Sequence, residues 1–214
     1  ADGWVIDDIG VHTANANYYT VGFYDNMEGA SHWYAGGTWA LSSESAHQGA
    51  QAWSDSPGTN YTHGSNSVLE LDGIVKLSMN PEVTDPELSF WQHYALGAGD
   101  SIRVEVSTDH QSWTTLGSVL ATATTNTGWA EKVLPLSAYA GQDIYIRFRL
   151  DATTDSSVGN GWWIDDVSIR APVNTSWALG SCDNVESAAT YWVANGTWGI
   201  VNGTDTNSGT GYSI

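Results

Sequence analysis

Nine residues near the start of the chain, Gly3-Trp4-Val5-Ile6-Asp7-Asp8-Ile9-Gly10-Val11, return far along it as Gly161-Trp162-Trp163-Ile164-Asp165-Asp166-Val167-Ser168-Ile169. Trp4 and Trp162 stand 158 positions apart, the length of an ordinary domain and too long for a solenoid unit. The echo continues. Phe23-Tyr24-Asp25-Asn26-Met27-Glu28-Gly29, Trp33 and Gly37-Thr38-Trp39 answer to Ser181-Cys182-Asp183-Asn184-Val185-Glu186-Ser187, Trp192 and Gly196-Thr197-Trp198. The shift drifts from 158 at Asp25 to 159 at Trp39 and 160 at His47, as between diverged copies. This divides the chain into three: 1–20 as the C-terminal strand of a preceding copy with a linker, 21–172 as one complete copy, and 173–214 as the N-terminal part of a following copy.

Apolar residues nowhere keep helical spacing for more than a turn or two. Short alternating runs between turn signals predict an all-β, two-sheet antiparallel jelly-roll sandwich, with partial copies on either side. Residues 88–94, 101–107, 129–136, 143–150 and 161–169 read as its long strands, and 38–41, 50–54, 68–71 and 75–78 as shorter ones. Residues 12–22 read as a crossing segment. In such a fold the first and last strands of a copy lie side by side, which would bring Asp25 and Glu28 toward Asp165 and Asp166.

Six Lys and Arg against 24 Asp and Glu give a net charge of −18, a field that repels nucleic acid and anionic membranes. Neither partner is expected, and no apolar run is long enough to insert in a bilayer. One cysteine, Cys182, leaves no intrachain disulfide and no multi-cysteine zinc motif. Asn60, Asn174, Asn195 and Asn202 each open an Asn-X-Ser/Thr tripeptide. Such tripeptides also arise by chance in a chain this rich in Asn, Ser and Thr; as acceptors they would mark an exported glycoprotein. An export signal is then expected upstream of Ala1.

Simple alternation puts Trp163, Asp165, Val167 and Ile169 on one strand face, so a carboxylate stands among core residues. Buried carboxylates need a partner. A structural calcium held by Glu28, Asp165 and Asp25 answers that need, and so do backbone amides or an arginine such as Arg147. Asp7, Asp8, Asp183 and Glu186 repeat the same acids in the flanking copies.

Phe23 to Gly29 with Trp33, Gly49-Ala50, Leu88-Ser89-Phe90-Trp91, Val104 to Asp109 with Trp113, Leu136 to Gly141, Ile146-Arg147-Phe148 and Trp163-Ile164-Asp165-Asp166-Val167 together cover most of one period. In order and spacing they resemble the MAM-like jelly-roll modules of secreted bacterial proteins, including those of immune inhibitor A-type peptidases. That resemblance implies an extracellular or cell-surface module with calcium at Glu28 and Asp165, flanked by Asp25 and Asp166. The cysteines of animal MAM domains are missing, so their homophilic adhesion does not carry over.

Twelve tryptophans offer either core filling or sugar stacking. Trp33, Trp39, Trp53 and Tyr61 fall in loop-rich sequence and form the candidate carbohydrate platform; Trp91, Trp129 and Trp163, on long strands, and Trp113, opening a short returning hairpin strand, are read as core. No His-Glu-X-X-His helix, Gly-X-Ser-X-Gly elbow or phosphate loop is present, and the six histidines show no metal spacing, so no enzymatic activity is expected. The sequence thus points first to a non-catalytic structural or adhesive repeat, partnered by copies of itself or neighbouring domains and able to build a surface filament by strand addition. The alternative is a carbohydrate-binding or accessory module of a secreted hydrolase or peptidase, with cell-surface or matrix carbohydrate as partner.

Overall fold

The computed structural model describes residues 17–172 and the backbone of residues 199–202 and 210–213. The chain divides between residues 171 and 172 into two compact units. In the first, the strands are β1 (Asn17–Tyr19), β2 (Phe23–Asp25), β3 (Trp33–Ala35), β4 (Ala40–Ser42), β5 (Ala52–Ser54), β6 (Asn66–Leu71), β7 (Gly73–Lys76), β8 (Glu87–Ala95), β9 (Ser101–Ser107), β10 (Thr114–Thr115), β11 (Ala121–Thr122), β12 (Thr125–Pro135), β13 (Asp143–Asp151) and β14 (Gly161–Arg170). They form an eight-stranded sheet around β13 and a six-stranded sheet around β14. All pairs in the two sheets are antiparallel except β1, which lies parallel to β7 and so draws residues 17–19 out of the expected crossing segment into the sandwich. Residues 77 and 78, expected to continue the strand, belong instead to a 3₁₀ turn at Leu77–Met79.

The core follows from alternation. Ile144, Ile146, Phe148 and Leu150 of β13 and Ile102, Val104 and Val106 of β9 point inward, and their neighbours point out. From the opposite sheet come Leu88 and Phe90 of β8 and Trp162 and Ile164 of β14. Phe148 meets Phe90 at 5.0 Å and Trp162 at 5.6 Å between ring centroids, both edge-on. The indole N–H of Trp162 donates to Gln92 Oε1 at 2.9 Å, which explains how an amide sits in the core face of β8.

β14 departs from simple alternation. Asp165 pairs with Trp91 and Ser168 with Ser89, so β14 spends one more residue than β8 between those pairs, and Asp166 adopts φ +48°. This β-bulge resets the phase. Trp162 and Ile164 face the core before it, and Val167 and Ile169 after it. Trp163 and Asp165 therefore point to the outer face, which corrects the expectation that Asp165 shares a face with Val167 and Ile169. β2 pairs with β14, Asp25 opposite Val167, so the first and last strands of the copy do lie together.

In the second unit, β15 (Gly199–Asn202) and β16 (Thr210–Ser213) form an antiparallel hairpin with Gly199 opposite Ser213, Ile200 opposite Tyr212 and Val201 opposite Gly211. In the first unit Ala40 pairs with Ser54, Leu41 with Trp53 and Ser42 with Ala52. All three pairings repeat at a constant shift of 159, the shift that relates Trp39 to Trp198. The motif 3–11 and the acids Asp7, Asp8, Asp183 and Glu186 lie outside the described residues.

Candidate functional site

The outward face of the eight-stranded sheet gathers aromatic and charged side chains from six of its strands. Tyr34 of β3 stands opposite Glu70 of β6, Glu70 opposite Arg147 of β13, Arg147 opposite Glu105 of β9, and Glu105 opposite Thr115 of β10. At the usual strand spacing the row from Tyr34 to Glu105 spans about 14 Å. Beside it lie Tyr145, Arg149 and Arg103, and at the β7 edge Tyr18, opposite Ile74 with Lys76 beneath its ring. Tyr34 is 66% exposed and Tyr18 58%.

The turn after β9 adds two more rings. Asp109 accepts hydrogen bonds from the backbone N–H of Gln111 and Ser112 and from the Ser107 hydroxyl, and this fixes a turn in which His110 takes φ +60°. The turn sends His110 flat onto Tyr145 at 4.2 Å, where it also meets Glu70, and places Trp113 over the Arg147 guanidinium at 3.8 Å. Sequence reading took Trp113 as core. It lies on the outer side of the sheet because residues 108–113 fold back over the outward residues of β13.

Glu105 is the electrostatic centre. Arg103 Nε donates to its Oε1 at 2.9 Å, and Arg147 Nε and Arg149 Nε donate to its Oε2 at 2.7 and 2.9 Å. Burial pulls the carboxyl upward, but the hydrogen bonds from Arg103, Arg149 and Arg147 outweigh it and hold the pKa at about 2. The three guanidiniums are thus fixed in orientation, with Arg103 also bound to Asp151 at 3.0 Å and Arg149 to Asn66.

The platform expected from sequence is elsewhere. Trp33, Trp39, Trp53 and Tyr61 are all under 7% exposed and pack in the core, so they form no sugar-stacking surface. Each belongs to a three-residue strand or a loop, too short for periodicity to show its inward side. Conversely Trp91, Trp129 and Trp163 stand on the outer face of the six-stranded sheet, beneath residues 43–51. His47 stacks on Trp91 at 3.6 Å, His93 stacks on Trp163 at 4.4 Å, and Trp129 meets His47 at a tilt and His93 edge-on. This is a small satellite core. Asn60 is exposed, the backbone of Asn202 ends β15, and Asn174 and Asn195 lie outside the described residues.

The four acids proposed for calcium divide. Asp165 is fully buried and accepts the backbone N–H of His47, Gln48 and Asp166; burial pushes its carboxyl up to about 6 despite these bonds. Glu28 accepts the N–H of Ala50 and Gln51 and lies against Gly49, which has φ +67°. Asp25 turns inward to the N–H of Met27, the His32 ring and the Trp33 indole, while Asp166 is taken by Tyr24 and His47. Arg147, the alternative partner for Asp165, is bound to Glu105 in the other sheet; backbone amides meet the need. Among the described residues no three His, Cys, Asp or Glu side chains converge as a metal site. Glu28, Asp165 and Asp166 all reach residues 47–51, Asp166 through the His47 ring that already occupies it, so calcium's six to eight oxygens would come from Glu28 and Asp165 and from loop carbonyls or water.

No protein-family model matches this chain, and no curated protein does; the MAM-like resemblance rests on its sequence landmarks alone. Among solved structures, the chain is similar to the CBM22-1 xylan-binding domain from Paenibacillus barcinonensis Xyn10C, with 15% identity, TM-score 0.45, and coverage of 70% of this chain and 93% of that one. It is also similar to the CBM22-1-CBM22-2 tandem domain of the same protein, with 19% identity, TM-score 0.46, and coverage of 94% of this chain and 62% of that one. The K3 cleaved adhesin domain of Lys-gingipain from Porphyromonas gingivalis w83 gives 20% identity, TM-score 0.40, and coverage of 58% and 76%. At such values the likeness says nothing about a ligand.

Proposed function

We propose that the protein is a non-catalytic, extracellular glycan-binding module whose binding surface is the outward face of the eight-stranded sheet. The observation that carries this reading is the combination of exposed Tyr34 and Tyr18 with Trp113, the His110 ring stacked over Tyr145, and three oriented guanidiniums on one outward face. Aromatic faces take the C–H sides of sugar rings, and fixed N–H and carboxylate groups take their hydroxyls. Tyr34→Ala and Trp113→Ala are each expected to weaken binding to the best ligand of a glycan array by about tenfold, the scale of one stacking contact. Retention of full affinity in the Tyr34→Ala, Trp113→Ala double variant would reject this face. The β15–β16 hairpin supports a tandem arrangement of such modules, which suits an adhesive role better than a filament built by strand exchange.

We also keep a structural calcium at Glu28 and Asp165 as a proposal, supported by the way both carboxylates grip residues 47–51. If it binds, a chelator lowers the melting temperature by about 4 °C or more and added calcium restores it. Unchanged melting with no ion found by elemental analysis would discard it, and would leave the N–H bonds as the whole function of these acids.

A further inference from the structure

We propose that Glu105 determines which glycans the face accepts: by neutralising the arginines around it, it makes the platform select uncharged chains over acidic ones. This rests on the glycan-binding reading and goes beyond it to the substrate class. Arg103, Arg147 and Arg149 are half of the six basic residues in the chain, and they lie side by side on this one face. An arginine cluster with aromatic neighbours would ordinarily be a site for carboxylate or sulfate groups. Here its charge is already met.

Glu105, only 7% exposed, receives all three Nε–H groups; Asp151 takes Arg103 again, and Glu70 faces His110 at 2.5 Å. The three guanidiniums thus contact two carboxylates, Glu105 and Asp151, and Glu70, opposite Arg147 in the register, adds a third negative charge to the same row. An approaching polyanion finds no local positive surplus, and the net charge of −18 opposes it at longer range. Hydrogen-bonding capacity nevertheless survives. Arg147 has only its Nε bound among the described residues, so its two terminal nitrogens stay free to donate to hydroxyl oxygens. Donors without net charge match a neutral sugar.

The decisive variant is Glu105→Gln, which keeps the side-chain shape and a carbonyl acceptor for the arginines while removing the negative charge. Its affinity for polygalacturonate at low salt should rise by about tenfold or more over the wild type, and the gain should vanish as salt is raised. The readout is therefore the ratio of the two affinities, polygalacturonate over the neutral glycan, which should rise by about tenfold or more whatever the variant does to neutral-glycan binding itself. Asp151→Asn, at the exposed rim, should shift this ratio the same way but less, and it carries the test alone if circular dichroism shows Glu105→Gln unfolded. A folded variant with no gain in this ratio overturns the proposal, as does a wild type that binds polygalacturonate more tightly than neutral glycans. Failure of the glycan-binding reading itself is seen separately, as a wild type that binds neither class.

Discussion

Replacing Trp162 with alanine should destabilise the first unit by about 3–5 kcal/mol, a large part of what a domain of this size has. The indole is fully buried where the sheets meet, with Phe148, Phe90 and Trp39 around it at 5.6, 6.4 and 6.0 Å. Nothing nearby can collapse into the space left, because those rings are themselves held by both sheets. Its N–H is also the donor to Gln92, and losing it strands a buried carbonyl oxygen at a further cost of about 1–3 kcal/mol. Urea unfolding measures the sum. Trp113→Ala, which removes an equally large ring from the outer face, should cost only about 1 kcal/mol and serves as the contrast. Equal losses in the two variants would mean that the inner and outer faces of the sandwich have been assigned wrongly.

The second large effect is a dependence on pH. Asp55 is fully buried; its Oδ1 accepts the N–H of Trp162 at 2.6 Å, and its Oδ2 has no hydrogen-bond partner among the described residues. Burial, only partly offset by that bond, pushes the carboxyl from an ordinary 3.8 up to about 7. The folded state therefore holds a proton that the unfolded state has released between these values, and stability falls as pH rises through that window. The full loss above pH 7 is on the order of 4 kcal/mol. Asp165, raised to about 6, slopes the same way over the lower part of the range. His93, lowered by burial to about 4, slopes the other way up to about 6.5, so the wild-type profile alone is ambiguous. The comparison with Asp55→Asn isolates the effect. The variant should gain about 2 kcal/mol on the wild type at pH 8, after a charge of about 1–3 kcal/mol for its own unpaired amide, and should gain nothing at pH 4. Parallel stability profiles from pH 4 to pH 8 would show that Asp55 does not titrate there.

Much of this architecture is legible in the chain, and the places where it is not have physical causes. Long strands with one wet face, such as β13 and β9, announce themselves because alternation there has a single meaning. β8 does not, since Leu88, Phe90 and Gln92 alternate with Ser89, Trp91 and His93; the row containing Gln92 is the inner one only because Trp162 supplies its hydrogen bond. The bulge at Asp165–Asp166 is hidden in the sequence. An acid in core phase has two physical explanations, a ligand or a shift of phase, and the second was present in the same residues. Trp33, Trp39 and Trp53 sit in elements too short for any period, so their burial is decided by the facing sheet. The platform residues were invisible as a group. Glu105 meets Arg147 and Arg149 across more than forty residues of sequence, and only the register of β9 on β13 brings them together.

The most direct test of the glycan-binding face is to follow backbone amide resonances of the isotope-labelled chain while its best array ligand is added. Shifts concentrated at Tyr34, Glu70, Glu105, Trp113, Tyr145 and Arg147 are the expected result. Shifts concentrated instead around Trp91, Trp129 and His47 on the opposite sheet, or spread evenly over both, would contradict the assignment of the binding surface.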